Sequence, residues 1–212
     1  MEQNEILAEN PDPDSRIFGL TGGIGSGKTT VAKILENMGF SIYYSDARAK
    51  DLVNESAYLK SEIIKLLGED AYNKDGLYNR KYVANIVFTN PGKLDVLNSI
   101  IHPAVKSDFK NWLQNREDKE IIFKETALLF ELDLDKECHQ SVLVTAEDNA
   151  RSKRVMDRDG KTYREVLNIM NKQMPEKEKI KRADFVIYNN GTLEDLQNEV
   201  EKVKSEIMAL QF

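Results

Sequence analysis

A chain of 212 residues is long enough for one well-buried α/β core with an elaboration, and short for two independent domains. Its 36 acidic residues against 30 basic ones leave a net charge of −6, which repels nucleic acid on average, so an anionic ligand must be held by locally clustered Lys and Arg. The single cysteine, Cys138, excludes an internal disulfide and a cysteine-based zinc site and suits a reducing compartment.

Residues 1–15, ending in Asn10-Pro11-Asp12-Pro13-Asp14, read as a flexible, solvated leader. They lack the basic start and apolar run of a secretory signal, and no later segment approaches the roughly 18 apolar residues of a membrane span. The chain is therefore expected to be cytoplasmic, with neither membrane nor nucleic acid as a partner.

Ile17-Phe18-Gly19-Leu20-Thr21 is short and apolar enough for a buried strand. Residues 22–29, Gly-Gly-Ile-Gly-Ser-Gly-Lys-Thr, then fit G-x-x-x-x-G-K-[ST] with Gly22, Gly27, Lys28 and Thr29 in the fixed places. Thr30-Val31-Ala32-Lys33-Ile34-Leu35 continues with helical spacing, apolar at 31, 34, 35 and 38. Strand, glycine-rich loop and helix together describe a phosphate cradle. Glycines at 22, 23, 25 and 27 let the backbone turn sharply and aim N–H groups at anionic oxygens, and the helix N-terminus adds partial positive charge. Lys28 supplies a full charge near the β- and γ-phosphates, and the Thr29 hydroxyl suits the coordination sphere of Mg²⁺. A dinucleotide site is excluded, because Gly23-x-Gly25 would require glycine at position 28, where Lys28 stands.

Further strands are expected at 40–44, 120–124, 141–145 and 184–188, mostly separated by helical segments. That alternation predicts an α/β, doubly wound parallel sheet with ligands at the strand C-terminal ends. The interval from about 50 to 117 departs from it and reads as helical throughout. Its apolar stripes are Leu59/Ile63/Leu66/Leu67, Val83/Ile86/Val87, Leu94/Leu97/Ile101 and Val105/Phe109/Trp112, with turns at Gly68, Asp75-Gly76 and Asn90-Pro91-Gly92. His102-Pro103 is expected to open the last of these helices, with proline at its first position. The chain thus divides into a core at 16–49 and 118–212 and an all-helical subdomain at 50–117, one wall of a substrate cleft. A final helix follows Thr192-x-x-Asp195, a capping box, with Leu193, Leu196, Val200, Val203 and Ile207 as its buried stripe.

Three places carry candidate chemistry besides the cradle. Asp46 closes the second expected strand, where a carboxylate can orient or deprotonate an attacking hydroxyl and reach magnesium through water, or can cap the following helix. Glu125 follows Ile121-Ile122-Phe123-Lys124, either as a second carboxylate of the magnesium shell or as an ordinary strand-end acid. Arg151, Arg154 and Arg158 share one helix face before Gly160, a spacing that suits a lid closing over ATP and equally a solvated helix with Glu147 and Asp148 paired to Arg151. His139 lies in a polar stretch and suggests no role.

These segments together resemble dephospho-coenzyme A kinase from Arg16 to about Val200. The matching motifs are the loop 19–30, Asp46, Asp75-Gly76 with Arg80, His102-Pro103 and Leu128-Leu129-Phe130-Glu131, followed by Arg154, Arg158, Thr162, Gln173, Ala183-Asp184 and Asn189. The resemblance implies a P-loop core with an inserted helical domain for the acceptor, a mobile lid at about 150–175, and ATP-dependent phosphorylation of the ribose 3′-hydroxyl of dephospho-coenzyme A, the last step of coenzyme A synthesis. It implies ATP and Mg²⁺ held by Gly23, Ile24, Gly25, Ser26, Gly27, Lys28, Thr29, Thr30, Arg154 and Arg158, with Asp46, Lys28 and Arg154 in catalysis. Asp46, Arg80, His102 and Glu125 would meet the acceptor, and Thr29, Asp46 and Glu125 the metal. A monomer or weak homo-oligomer is expected. The sequence departs from the family's pattern at Tyr44, Asn79, Ala127 and Ile169. Other readings are a P-loop kinase for a nucleoside, nucleotide or shikimate, and, in a different class, a regulatory GTPase, although neither Asn73-Lys74-Asp75-Gly76 nor Asn171-Lys172-Gln173-Met174 supplies the usual Asn-Lys-x-Asp base-selecting segment.

Overall fold

The computed structural model describes residues 16–114 and 121–210. The leader expected at 1–15, and residue 120 of the third expected strand, lie outside the described residues. Strands β1 (Arg16–Thr21), β2 (Ser41–Tyr44), β3 (Ile121–Glu125), β4 (Gln140–Thr145) and β5 (Phe185–Tyr188) form one sheet in the order β2-β3-β1-β4-β5. β1 pairs in parallel with β3 and β4, and β4 with β5. Strands β1, β3 and β4 are buried almost end to end, which is why they read as near-continuous apolar runs rather than alternating ones.

Helix α1 (Lys28–Asn37) buries Val31, Ala32, Ile34 and Leu35 and packs against β1 and α9 (Leu193–Met208). The capping box of α9 is formed in both directions between Thr192 and Asp195, and Leu196, Val200, Val203 and Ile207 face inward. Leu193, expected in that stripe, is 58% exposed. It is the first helical residue, and helical side chains lean toward the N-terminus, which carries it past the packed face. Between β4 and β5 lie α6 (Asp148–Asp159), α7 (Tyr163–Met170) and α8 (Glu176–Arg182), with Gly160 ending α6 in a left-handed cap.

Residues Tyr44–Arg116 make a compact unit of their own. It contains α2 (Ser45–Glu55), α3 (Ala57–Leu67), α4 (Arg80–Val87) and α5 (Pro91–Leu113) around Val53, Leu59, Ile63, Leu67, Val83, Val87 and Leu97. Because α2 packs on α3 and α5, this unit begins before residue 50. Two details differ from the sequence expectation. His102-Pro103 opens no helix: α5 runs through both, capped at its start by the Asn90 side chain with Pro91 at the first turn. Pro103 forfeits one internal hydrogen bond, and the burial of Leu97 before it and Phe109 after it holds the helix continuous. The unit is also not helical throughout, since Tyr72 and Tyr78 form an antiparallel bridge around a loop in which Asn73 Oδ1 accepts from the N–H groups of Asp75 and Leu77.

Candidate active site

The cradle is built where β1 hands over to α1. Ser26 N–H donates to the Gly23 carbonyl at 3.1 Å, and the Thr30 and Val31 N–H groups donate to the Gly27 carbonyl at 2.9 and 3.1 Å, closing the loop onto the helix. Gly27 caps α1 at φ 98°, a left-handed conformation in which a side chain is strained. A Cβ there would also overlap the carboxamide nitrogen of Asn189, which is buried just after β5 and donates to the Ser26 carbonyl at 2.8 Å. Gly27→Ala is therefore expected to cost roughly 2 kcal/mol from the backbone alone, lowering Tm by about 4–8 °C in a domain this large; an unchanged melting curve would refute the clash.

Lys28, the first residue of α1, sets its Nζ 2.6 Å from Glu125 Oε1, with both side chains nearly excluded from solvent. The strand register explains the pairing: Glu125 stands opposite Leu20 on the neighbouring strand, level with the entrance to the loop. Two hydroxyls at the same place, Thr21 Oγ1 and Ser26 Oγ, are buried with no hydrogen-bond partner among the described residues. Orphan donors, a lysine ammonium and a helix N-terminus whose first N–H groups have no intrahelical acceptors fit a polyphosphate. Magnesium needs only one or two side chains when phosphate oxygens complete its shell, and Thr29 and Glu125 offer a hydroxyl and a carboxylate in this unit.

The three arginines of α6 do different things. Arg151 is only 3% exposed and serves the loop itself, its Nε donating to the Ile24 carbonyl at 3.0 Å and its Nη1 lying 2.8 Å from Glu176 Oε2 and 3.4 Å from Asp148 Oδ1. Arg154 donates to the Gly25 carbonyl at 3.4 Å and to the Asn189 carbonyl at 2.8 Å, so its guanidinium lies against the cradle. Arg158 is exposed and paired with its neighbour Asp159, which raises the guanidinium pKa and lowers that of the carboxyl.

In the helical unit, Asp46 occupies the first turn of α2, whose N-cap is Tyr44. Arg80 opens α4, next to Asn79, whose side chain caps that helix by accepting from the Tyr82 N–H. A pocket of ≈ 360 Å³ lies wholly within this unit, floored by Val53, Val83, Leu97 and Ile101 and bordered by Lys50 and Arg80. An apolar floor with a few cations is the form of a small-molecule site. His102 lies on an exposed stretch of α5, outside that lining, with partial desolvation holding its imidazole below the ordinary histidine range.

Sequence reasoning assigned no role to Glu176, to Lys50, or to Asn189 as the support of Ser26. A polar residue directly after an apolar strand of a parallel sheet was the available signal for Asn189, since strand C-terminal ends line such sites. Nothing local marks Glu176, because its partner Arg151 is 25 positions away.

A model of the dephospho-CoA kinase family matches residues 16–195. The dephospho-CoA kinase of Fusobacterium nucleatum is 43% identical over 88% of this chain and 95% of its own length. That of Chlorobaculum tepidum is 39% identical over 92% of this chain and 96% of its own. The solved structure of the dephospho-CoA kinase from Campylobacter jejuni gives a TM-score of 0.68 at 26% identity, covering 91% of this chain and 97% of that one. With the family model covering residues 16–195 and these relatives matched over nearly their full length, the chain belongs to the dephospho-CoA kinase family.

Proposed function

We propose that the chain transfers the γ-phosphoryl group of ATP to the ribose 3′-hydroxyl of dephospho-coenzyme A, giving coenzyme A and ADP in the cytoplasm. The observation that carries this reading is the near-buried Lys28 ammonium at the head of α1, inside a glycine loop and beside a strand-end carboxylate, in a chain of this family. One bond forms, from the 3′-oxygen to phosphorus, and one breaks, from phosphorus to the β–γ bridging oxygen.

The protein's share is positioning and charge. Lys28 offsets negative charge on the transferring group, and Arg154, held against the Gly25 carbonyl, adds a second cation from the side of α6. Asp46 orients the 3′-hydroxyl and accepts its proton. Thr29, Glu125 and Asp46 are the residues that would hold Mg²⁺, which when bound supplies charge neutralisation at the β- and γ-oxygens. Arg158 and α7 belong to a lid that excludes water as a competing acceptor. The pocket bordered by Lys50 and Arg80 takes the acceptor, its apolar floor receiving the pantetheine arm and its cations the diphosphate.

Initial rates with Mg-ATP and a panel of dephospho-coenzyme A, adenosine, AMP and shikimate test the assignment. Dephospho-coenzyme A should turn over fastest by at least about 10²-fold, the discrimination available to a site built around a large, charged acceptor. Faster turnover of any other member would overturn it.

A further inference from the structure

Gly23 is not one of the fixed positions of the general G-x-x-x-x-G-K-[ST] pattern, and its φ lies outside the left-handed region, so backbone conformation does not call for a glycine there. Its surroundings do. A Cβ at this position would overlap Arg151 Nη2, approach Arg151 Cζ at 3.0 Å and reach Gln173 Oε1 at 3.2 Å. These two side chains hold the next residue by both its backbone groups: the Ile24 N–H donates to Gln173 Oε1 at 3.0 Å, and the Ile24 carbonyl accepts from Arg151 Nε at 3.0 Å. Arg151 also reaches Glu176, three residues beyond Gln173, at 2.8 Å. The result is a closed ring from Ile24 through Arg151, Glu176 and Gln173 back to Ile24.

From this clasp we propose that Gln173 and Arg151 are positioning residues for the phosphate-loop reaction: they fix the two peptide planes flanking Ile24, so that the cradle stands in its nucleotide-binding shape before ATP arrives. Neither side chain needs to touch the nucleotide. The ring also ties both roots of the 152–172 segment to one residue of the cradle, so the first turns of α6 belong to the fixed site and only the part beyond them is left to move. A loop preorganised in this way loses affinity when the clasp is opened, because ATP must then supply the ordering itself. The inference rests on residues 22–29 being the ATP site. For that reason affinity is read by calorimetry with Mg-ATP and no acceptor, so a protein that binds ATP yet ignores dephospho-coenzyme A would fail the functional reading while the clasp stood.

Gln173→Leu removes the acceptor at similar size, whereas Gln173→Glu keeps it. Loss of one such bond should weaken Mg-ATP binding by about 5- to 10-fold, and raise KM for ATP alike, with kcat at saturating ATP within about twofold. Amide hydrogen exchange at Ile24 should accelerate in Gln173→Leu and stay slow in Gln173→Glu, a local signature that general destabilisation does not produce. Gly23→Ala, which crowds out both side chains from the opposite direction, should reproduce the affinity loss. Mg-ATP affinity within twofold of wild type in Gln173→Leu would overturn the proposal, as would fast Ile24 exchange in both Gln173 variants.

Discussion

Replacing Lys28 by alanine is expected to lower kcat by at least about 10²-fold, the usual consequence of losing one preorganised partner for transition-state charge. The ammonium sits in a nearly dry position at the head of α1, where a unit charge acts more strongly than in water. The same substitution has a second effect, because Glu125 would lose an ion-pair partner at 2.6 Å while remaining nearly buried. Breaking such a pair costs about 3–5 kcal/mol, so the melting temperature should fall together with turnover. The stability effect is isolated in Lys28→Ala/Glu125→Gln, which removes the carboxylate charge that Lys28→Ala leaves behind: the melting temperature should recover in part, while kcat stays low because the double variant also lacks a carboxylate proposed for the metal. Near-normal turnover in either protein, measured by ADP release with dephospho-coenzyme A, would remove Lys28 from the chemistry.

Asp46→Asn should lower kcat by about 10²- to 10⁴-fold, the range for loss of a positioned general base, with KM for ATP within about threefold. Asp46 lies in the first turn of α2, where loss of its negative charge costs about 0.3–1 kcal/mol through the helix dipole, so a melting curve of the variant is read beside the kinetics. Steady-state kinetics with each substrate varied in turn provides the check. A large rise in KM for ATP with kcat preserved would reassign Asp46 to metal or nucleotide binding.

Much of this was legible in the residues alone. Gly22 to Thr29 fixes strand, loop and helix in one short span, and apolar runs of four to six residues located all five strands because β1, β3 and β4 are covered on both faces. Thr192 and Asp195 announced α9 through a purely local hydrogen-bond exchange. What escaped was long-range or cooperative. Pro103 carries a strong local signal for a helix start, and burial of Leu97 and Phe109 on either side overrides it. Arg151 and Arg158 look equivalent by spacing, yet one is buried against Ile24 and Glu176 and the other faces solvent beside Asp159, a difference set by what packs on each end of α6. Glu125 read equally as a strand-end acid or a ligand until the β1–β3 register brought it to Lys28.

The central claim, that this cradle delivers a phosphoryl group to one particular alcohol, is tested most directly by ³¹P NMR of a reaction containing Mg-ATP and dephospho-coenzyme A. The expected spectrum shows a new phosphomonoester resonance coupled to the ribose 3′ proton, growing in step with ADP. ADP accumulating with free phosphate alone, or a phosphomonoester on any other hydroxyl, would contradict it.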